Sequence, residues 1–105
     1  MKYLRTLLQA SFPTEVANKV LSEPDSMKKL KQYVESLKPE AAYFAANDMG
    51  ERSFFAVFDL ADPSKIPVVA EPLFAMFQAR VRFRPVMNWE EVERGVNDVM
   101  RSMPH

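Results

Sequence analysis

The spacing of apolar residues divides this chain into segments of two kinds. Alternation of apolar and polar residues has the period of a strand, and recurrence every three or four positions has the period of a helix. Proline, glycine and capping residues mark the boundaries. The predicted elements, in chain order, are strand Lys2–Ala10, helix Glu15–Leu21, a longer helix capped by Asp25 or Ser26, strands Ala41–Ala46 and Ser53–Leu60, a helix beginning at Asp62-Pro63, strand Ala79–Met87 and a final helix capped by Asn88.

This order predicts a single α+β domain spanning residues 1–105. Strands and helices follow one another as β-α-β-β-α-β, the ferredoxin-like or split βαβ arrangement, with an extra C-terminal helix. Such a fold has a four-stranded antiparallel sheet with both crossover helices on one face. The opposite face of the sheet is then bare within one chain.

The third predicted strand indicates that the bare face has a partner. Residues 54–58 read Phe-Phe-Ala-Val-Phe, so the strand is apolar on both sides and both sides must be covered. Packing two bare faces about a two-fold axis would cover them, which predicts a homodimer. The alternative is that the C-terminal helix covers its own sheet and leaves a monomer. In that helix the pattern predicts that Trp89 is a core anchor.

Arginine occupies every second position of the last predicted strand, at Arg80, Arg82 and Arg84. Alternation places these three side chains on one face of the sheet, which must meet water, acidic groups or an anionic ligand. Arginine binds carboxylate or phosphate through two parallel hydrogen bonds, so one hypothesis is a pocket for a small organic acid. The candidate ligand-binding residues are Arg5, Arg80, Arg82, Arg84, Tyr3 and Tyr43.

A structural role for the same arginines is the competing interpretation. They can pair with Asp59, with Glu51 or with acids of a partner chain, or point to water along an edge strand, where charge discourages aggregation. Asp59 also has two interpretations. It could act as a general base if it is buried, or it could cap the turn before Asp62-Pro63.

Composition narrows the classes of function. Lys plus Arg and Asp plus Glu both number 14, so a zero formal charge argues against nucleic acid and anionic membranes as partners. There are no cysteines, and the one histidine is the terminal His105, so neither a metal site nor a cofactor is predicted. Residues 1–5 lack the apolar run of a signal peptide, which makes a cytoplasmic location the expectation.

Three segments carry a resemblance to a known group of proteins. They are Lys38–Phe44, the stretch from Phe58-Asp59-Leu60 to Glu71-Pro72-Leu73-Phe74, and Arg84–Met87. In them the chain resembles small uncharacterised bacterial proteins of the dimeric α+β barrel superfamily. The resemblance implies a homodimer with a ligand-sized cavity between sheet and helices in each subunit. It leaves open a binding protein for a small anionic or aromatic molecule, a cofactor-free monooxygenase or isomerase, and a purely structural dimerisation module.

Overall fold

The computed structural model describes residues 3–104, so Met1, Lys2 and His105 lie outside the described residues. Within that range the chain forms an α+β structure with four strands and four α-helices. The elements are β1 (Leu4–Ser11), α1 (Thr14–Ser22), α2 (Pro24–Ser36), β2 (Ala41–Ala46), β3 (Arg52–Leu60), a short 3-10 helix (Pro63–Lys65), α3 (Ile66–Phe77), β4 (Arg80–Pro85) and α4 (Trp89–Ser102).

The four strands form one open antiparallel sheet in the order β2-β3-β1-β4. β1 and β3 are therefore central, and β2 and β4 are edges. The hairpin between β2 and β3 turns at Gly50, whose φ of 79° suits a residue without a side chain. The predicted antiparallel four-stranded sheet is confirmed.

One face of the sheet is covered by α1, α2 and α3. Thr6 and Leu8 of β1 point toward these helices and are buried, as the alternation predicts. Opposite them, Phe58 and Ala56 of β3 continue the same buried layer. The core residues supplied by the three helices are Ala17, Val20, Leu30, Val69, Leu73 and Phe77.

A half-buried tyrosine joins two of these helices. The Tyr33 hydroxyl in α2 donates a 2.6 Å hydrogen bond to the backbone oxygen of Val69 in α3. Partial burial raises the pKa of this phenol above its ordinary value, because the charged form would lose its hydration. The hydroxyl stays protonated and remains a donor.

Several predicted boundaries are shifted in the structure. The second helix begins at Pro24 rather than after a cap at Asp25 or Ser26, because proline suits the first turn. β4 ends at Pro85, two residues before the predicted end. The sequence allows Pro72 either to bend this helix or to lie in its first turn, and the structure places it inside α3, beyond the first turn.

The last helix, α4, begins with a strong cap and then leaves the body of the molecule. The Asn88 side chain accepts a hydrogen bond from the Glu91 amide, and the Glu91 carboxylate accepts one from the Asn88 amide, so the cap predicted at Asn88, with Glu91 three residues later, forms a capping box. From Glu93 onward every residue of α4 is exposed. Trp89 is 71% exposed, so the prediction that it anchors the core of its own chain is wrong.

The overall shape reflects this position of α4. The molecule measures 60 × 29 × 20 Å, and its radius of gyration is 16.8 Å. A compact chain of this length has a radius of gyration of roughly 13 Å. The helix therefore extends the molecule and does not cover the face of its own sheet that the other helices leave open.

Candidate functional site

The bare face is the side of the sheet opposite α1, α2 and α3, and the strand register fixes its layout. One row across the strands runs from Tyr43 through Phe55 and Gln9 to Arg82. The parallel row runs from Ala41 through Val57 and Leu7 to Arg84. The face thus has an apolar part on β2, β3 and β1 and a cationic edge on β4.

The apolar part of the bare face is open in the single chain. Leu7, Phe55 and Val57 are half-buried, and the Tyr43 side chain is 71% exposed. Several adjacent apolar side chains of this kind are unusual on a monomeric surface. This agrees with the apolar character of β3 on both sides, which the sequence predicted.

The three arginines of the cationic edge differ in their partners. Arg80 forms an ion pair with Glu51, and Arg84 donates a 3.2 Å hydrogen bond to the Gln9 side chain. Arg82 lies between them with an exposed side chain and has no hydrogen-bond or ion-pair partner among residues 3–104. The structural interpretation therefore holds for Arg80, while Arg82 retains its full binding capacity.

A polar cluster at the hairpin end holds Arg80 in place. The Asn47 side chain accepts hydrogen bonds from the amides of Met49 and Glu51 at 2.9 Å, and donates to Ser11 and to the Glu51 carboxylate. Glu51 in turn pairs with Arg80. From the sequence alone Asn47 is one of several turn residues between two predicted strands, because the contacts that give it this role are with the distant Ser11 and through Glu51.

A concavity of about 670 Å³ lies over the cationic edge. Its lining includes Gln9, Phe55, Arg80, Arg82 and Arg84, together with the hairpin loop at residues 47–51. Asp48 and Glu51 of that loop are its acidic members, so the three guanidiniums outnumber the carboxylates. The surface offers cationic donors beside one aromatic ring.

The other three candidate residues lie away from this concavity. Tyr43 is on the opposite edge strand, roughly 14 Å from Arg82 at about 4.8 Å per strand. Tyr3 precedes β1 and is half-exposed. Arg5 is near the other end of the strands, where it pairs with Glu91 at 2.5 Å and with Glu40 at 3.3 Å.

These carboxylates raise the pKa of Arg5, and the largest cause is the hydrogen bond that Arg5 donates to Glu91. Arg5 thus connects the start of β1 to the first turn of α4. The structure brings Arg80, Arg82 and Arg84 together in one concavity but does not bring Arg5, Tyr3 or Tyr43 to it.

Asp59 is not buried, and burial is the condition under which it could act as a general base. Its side chain is exposed, and in the register it lies opposite Arg5 rather than in the concavity. The turn that follows is capped by Asp62 instead, whose carboxylate accepts hydrogen bonds from the Ser64 amide and hydroxyl. Those bonds lower the pKa of Asp62. The alternative assignment of Asp59 as the cap is therefore also wrong.

The described residues, 3–104, contain neither a grouping of metal-ligand side chains nor a membrane-spanning helix. Between residues 3 and 104, no three His, Cys, Asp or Glu side chains are grouped so that they could hold a metal ion. None of the helices in that range combines the length and the apolar character that a membrane crossing requires.

A small apolar cavity of about 100 Å³ lies on the helix side, between α1, α2 and Phe44.

Comparison with known proteins adds no assignment. No protein-family model, no curated protein and no solved structure matches the chain. Any functional assignment therefore depends on the geometry of the bare face.

Proposed function

We propose that the chain forms a homodimer through its bare face and binds a small organic acid at the cationic edge of that face. The observation that carries the proposal is the guanidinium of Arg82, which has no partner in the described chain and lies in a concavity beside an apolar surface. Arginine is the side chain best suited to hold a carboxylate through two parallel hydrogen bonds.

The same geometry supports a preference for an acid with an apolar body. Phe55 lies two strands away from Arg82 in the same row, with Gln9 between them. A carboxylate on Arg82 would leave the rest of an aromatic or aliphatic acid over Gln9 and the Phe55 ring. Arg84 and Gln9, which are bonded to each other, are close enough to add donors.

We also infer the ferredoxin-like arrangement with an extra C-terminal helix. Its support is the strand order β4-β1-β3-β2, with α1 and α2 between β1 and β2 and α3 between β3 and β4. The pair α1 and α2 in the first crossover departs from the single helix of the simple pattern. A place in the dimeric α+β barrel superfamily is part of the same proposal.

Ligand-dependent thermal unfolding tests the binding proposal. Benzoate, phenylacetate and hexanoate are the probes, and benzamide is the uncharged control for benzoate. An acid at 100 times its dissociation constant stabilises the folded state by about 2.7 kcal/mol. For a chain of this size that raises the melting temperature by roughly 10 °C or more.

Variants of single arginines locate the site. We expect Arg82→Ala to weaken acid binding by about 10- to 100-fold, the range for a lost charge-assisted hydrogen bond, and Arg82→Lys to weaken it less. Arg52→Ala is the matched control, because Arg52 lies on the helix side of β3 and bonds to Asn18. Equal shifts for the wild type and Arg82→Ala, or equal shifts with benzoate and benzamide, would contradict the proposal.

A further inference from the structure

The helix α4 has an apolar stripe that remains largely exposed in the described part of the chain. At 100° per residue its apolar side chains fall within an arc of roughly 100°. They are exposed or half-exposed, and they are Trp89, Val92, Val96, Val99 and Met100. A helix with one clean apolar stripe gains most of its stability by packing that stripe against another surface.

The position of the first turn places α4 on the same side of the molecule as the bare face. Glu91 in that turn pairs with Arg5, and Arg5 is on the bare-face side of β1, opposite Asp59. The helix therefore leaves the body where a second copy would approach in a bare-face dimer. One chain thus carries two uncovered apolar surfaces, and neither covers the other.

We propose that α4 of each copy packs its apolar stripe on the apolar part of the bare face of the other copy. The proposal rests on the bare-face dimer proposed above and names the element that covers the face. Because the exchange about a two-fold axis is reciprocal, it would cover the apolar stripe of α4 and the apolar part of the bare face in both copies. It leaves the cationic edge on β4 open, with the partner's helix as a second wall of the ligand site.

The area available is sufficient for a stable pair. The five stripe side chains expose roughly 400 Å² on each helix, about half of the roughly 800 Å² that each partner of a standard interface buries. Counting the receiving surface and both copies gives roughly 1,600 Å², within the range of about 1,200–2,000 Å² typical of specific protein pairs.

Charge favours this occupant over a lipid surface. The helix carries four acidic and two basic side chains, a formal charge of −2, whereas helices that lie on anionic membranes are basic. Glu93 borders the apolar stripe, and the row of Arg80, Arg82 and Arg84 borders the receiving surface. The two surfaces therefore complement each other in charge as well as in apolar character.

A pair of neighbouring substitutions tests the exchange. Val96→Asp puts a charge in the stripe, and Asn97→Asp puts the same charge on the polar side of the helix. Both positions are exposed, so neither change disturbs the core of one chain. We expect Val96→Asp to raise the dimer dissociation constant at least about 100-fold, since symmetry buries the charge twice, and Asn97→Asp to leave it within about threefold.

Trp89 is a built-in reporter of docking, because it is the only tryptophan of the chain and lies in the stripe. We expect blue-shifted emission in the wild type and in Asn97→Asp, and the emission of an exposed indole in Val96→Asp. Tyr43 is exposed on the bare face that receives the helix. Tyr43→Asp should therefore match Val96→Asp in both its mass in solution and its Trp89 emission.

The outcomes separate this inference from the proposed function. A Val96→Asp or Tyr43→Asp dimer as stable as the wild type, or a solvent-exposed Trp89 in the wild-type dimer, overturns the exchange while the dimer stands. A wild type that is a monomer overturns both the bare-face dimer and the exchange of α4. Acid binding that depends on Arg82 is measured separately by the thermal shifts.

Discussion

At the scale of single residues, the candidate site depends on Asn47, an uncharged side chain in the lining of the concavity. Asn47 holds the hairpin through two backbone amides and fixes Glu51, which in turn pairs with Arg80. It also donates to Ser11, whose hydroxyl is buried against that of Ser53 at 2.8 Å. One amide side chain thereby joins the turn, the end of β1 and the cationic edge.

Replacing Asn47 tests this role. We expect Asn47→Ala to lower the free energy of unfolding by about 2 kcal/mol, because it leaves two amides and a buried hydroxyl with fewer partners. Urea unfolding measures the change. Asp48→Ala, at an exposed position of the same loop, should stay within about 0.5 kcal/mol of the wild type. Equal effects of the two substitutions would show that Asn47 does not organise the hairpin.

The sequence predicts the arginine row but not the differences within it. Alternation alone places Arg80, Arg82 and Arg84 on one face. Which of them is paired depends on where Glu51 and Gln9 lie after folding, and both are distant in sequence from β4. For the same reason Tyr43 shares a face with Arg82 yet lies on the opposite edge of the sheet.

At the scale of elements, periodicity and caps predict most of the structure. β2 matches its predicted bounds, and the Asn88 and Glu91 capping box forms as expected. The exposed Trp89 shows the limit of prediction from periodicity and caps. A helical period indicates which residues share a face, but it does not indicate whether that face meets its own core or another chain.

The start of α4 should respond to acid. The Asn88 amide, and then Arg5, lower the pKa of Glu91 below its ordinary value of 4.5. A carboxyl with a lowered pKa stabilises the folded state above the ordinary pKa and loses that contribution as the pH falls through the folded value. We therefore expect α4 to lose helix as the pH falls below the ordinary value of 4.5 and Glu91 is protonated.

Circular dichroism at 222 nm checks this, with Glu91→Gln as the variant. Glutamine can still complete the capping box but carries no charge for Arg5, so less of the helical signal should depend on pH. Glu90→Gln, on the same turn, should follow the wild type. Identical dependence of the helical signal on pH in Glu91→Gln and the wild type would show that protonation of Glu91 does not cause the loss of helix.

At the scale of the whole molecule, the structure has more uncovered apolar surface than a chain of 105 residues ordinarily exposes. Leu7, Phe55 and Val57 on the bare face and the stripe of α4 are separate surfaces on one elongated chain. Burying apolar surface contributes about 25 cal/mol per Å² before the costs of association. The proposed self-association about a two-fold axis would remove both surfaces from water in one step.

The most direct measurement is sedimentation equilibrium of the unmodified chain at concentrations on the order of 10 µM, where a pair with a dissociation constant near 1 µM is mostly assembled. We predict the mass of two chains. The mass of a single chain across that range would contradict the bare-face dimer and, with it, the exchange of α4.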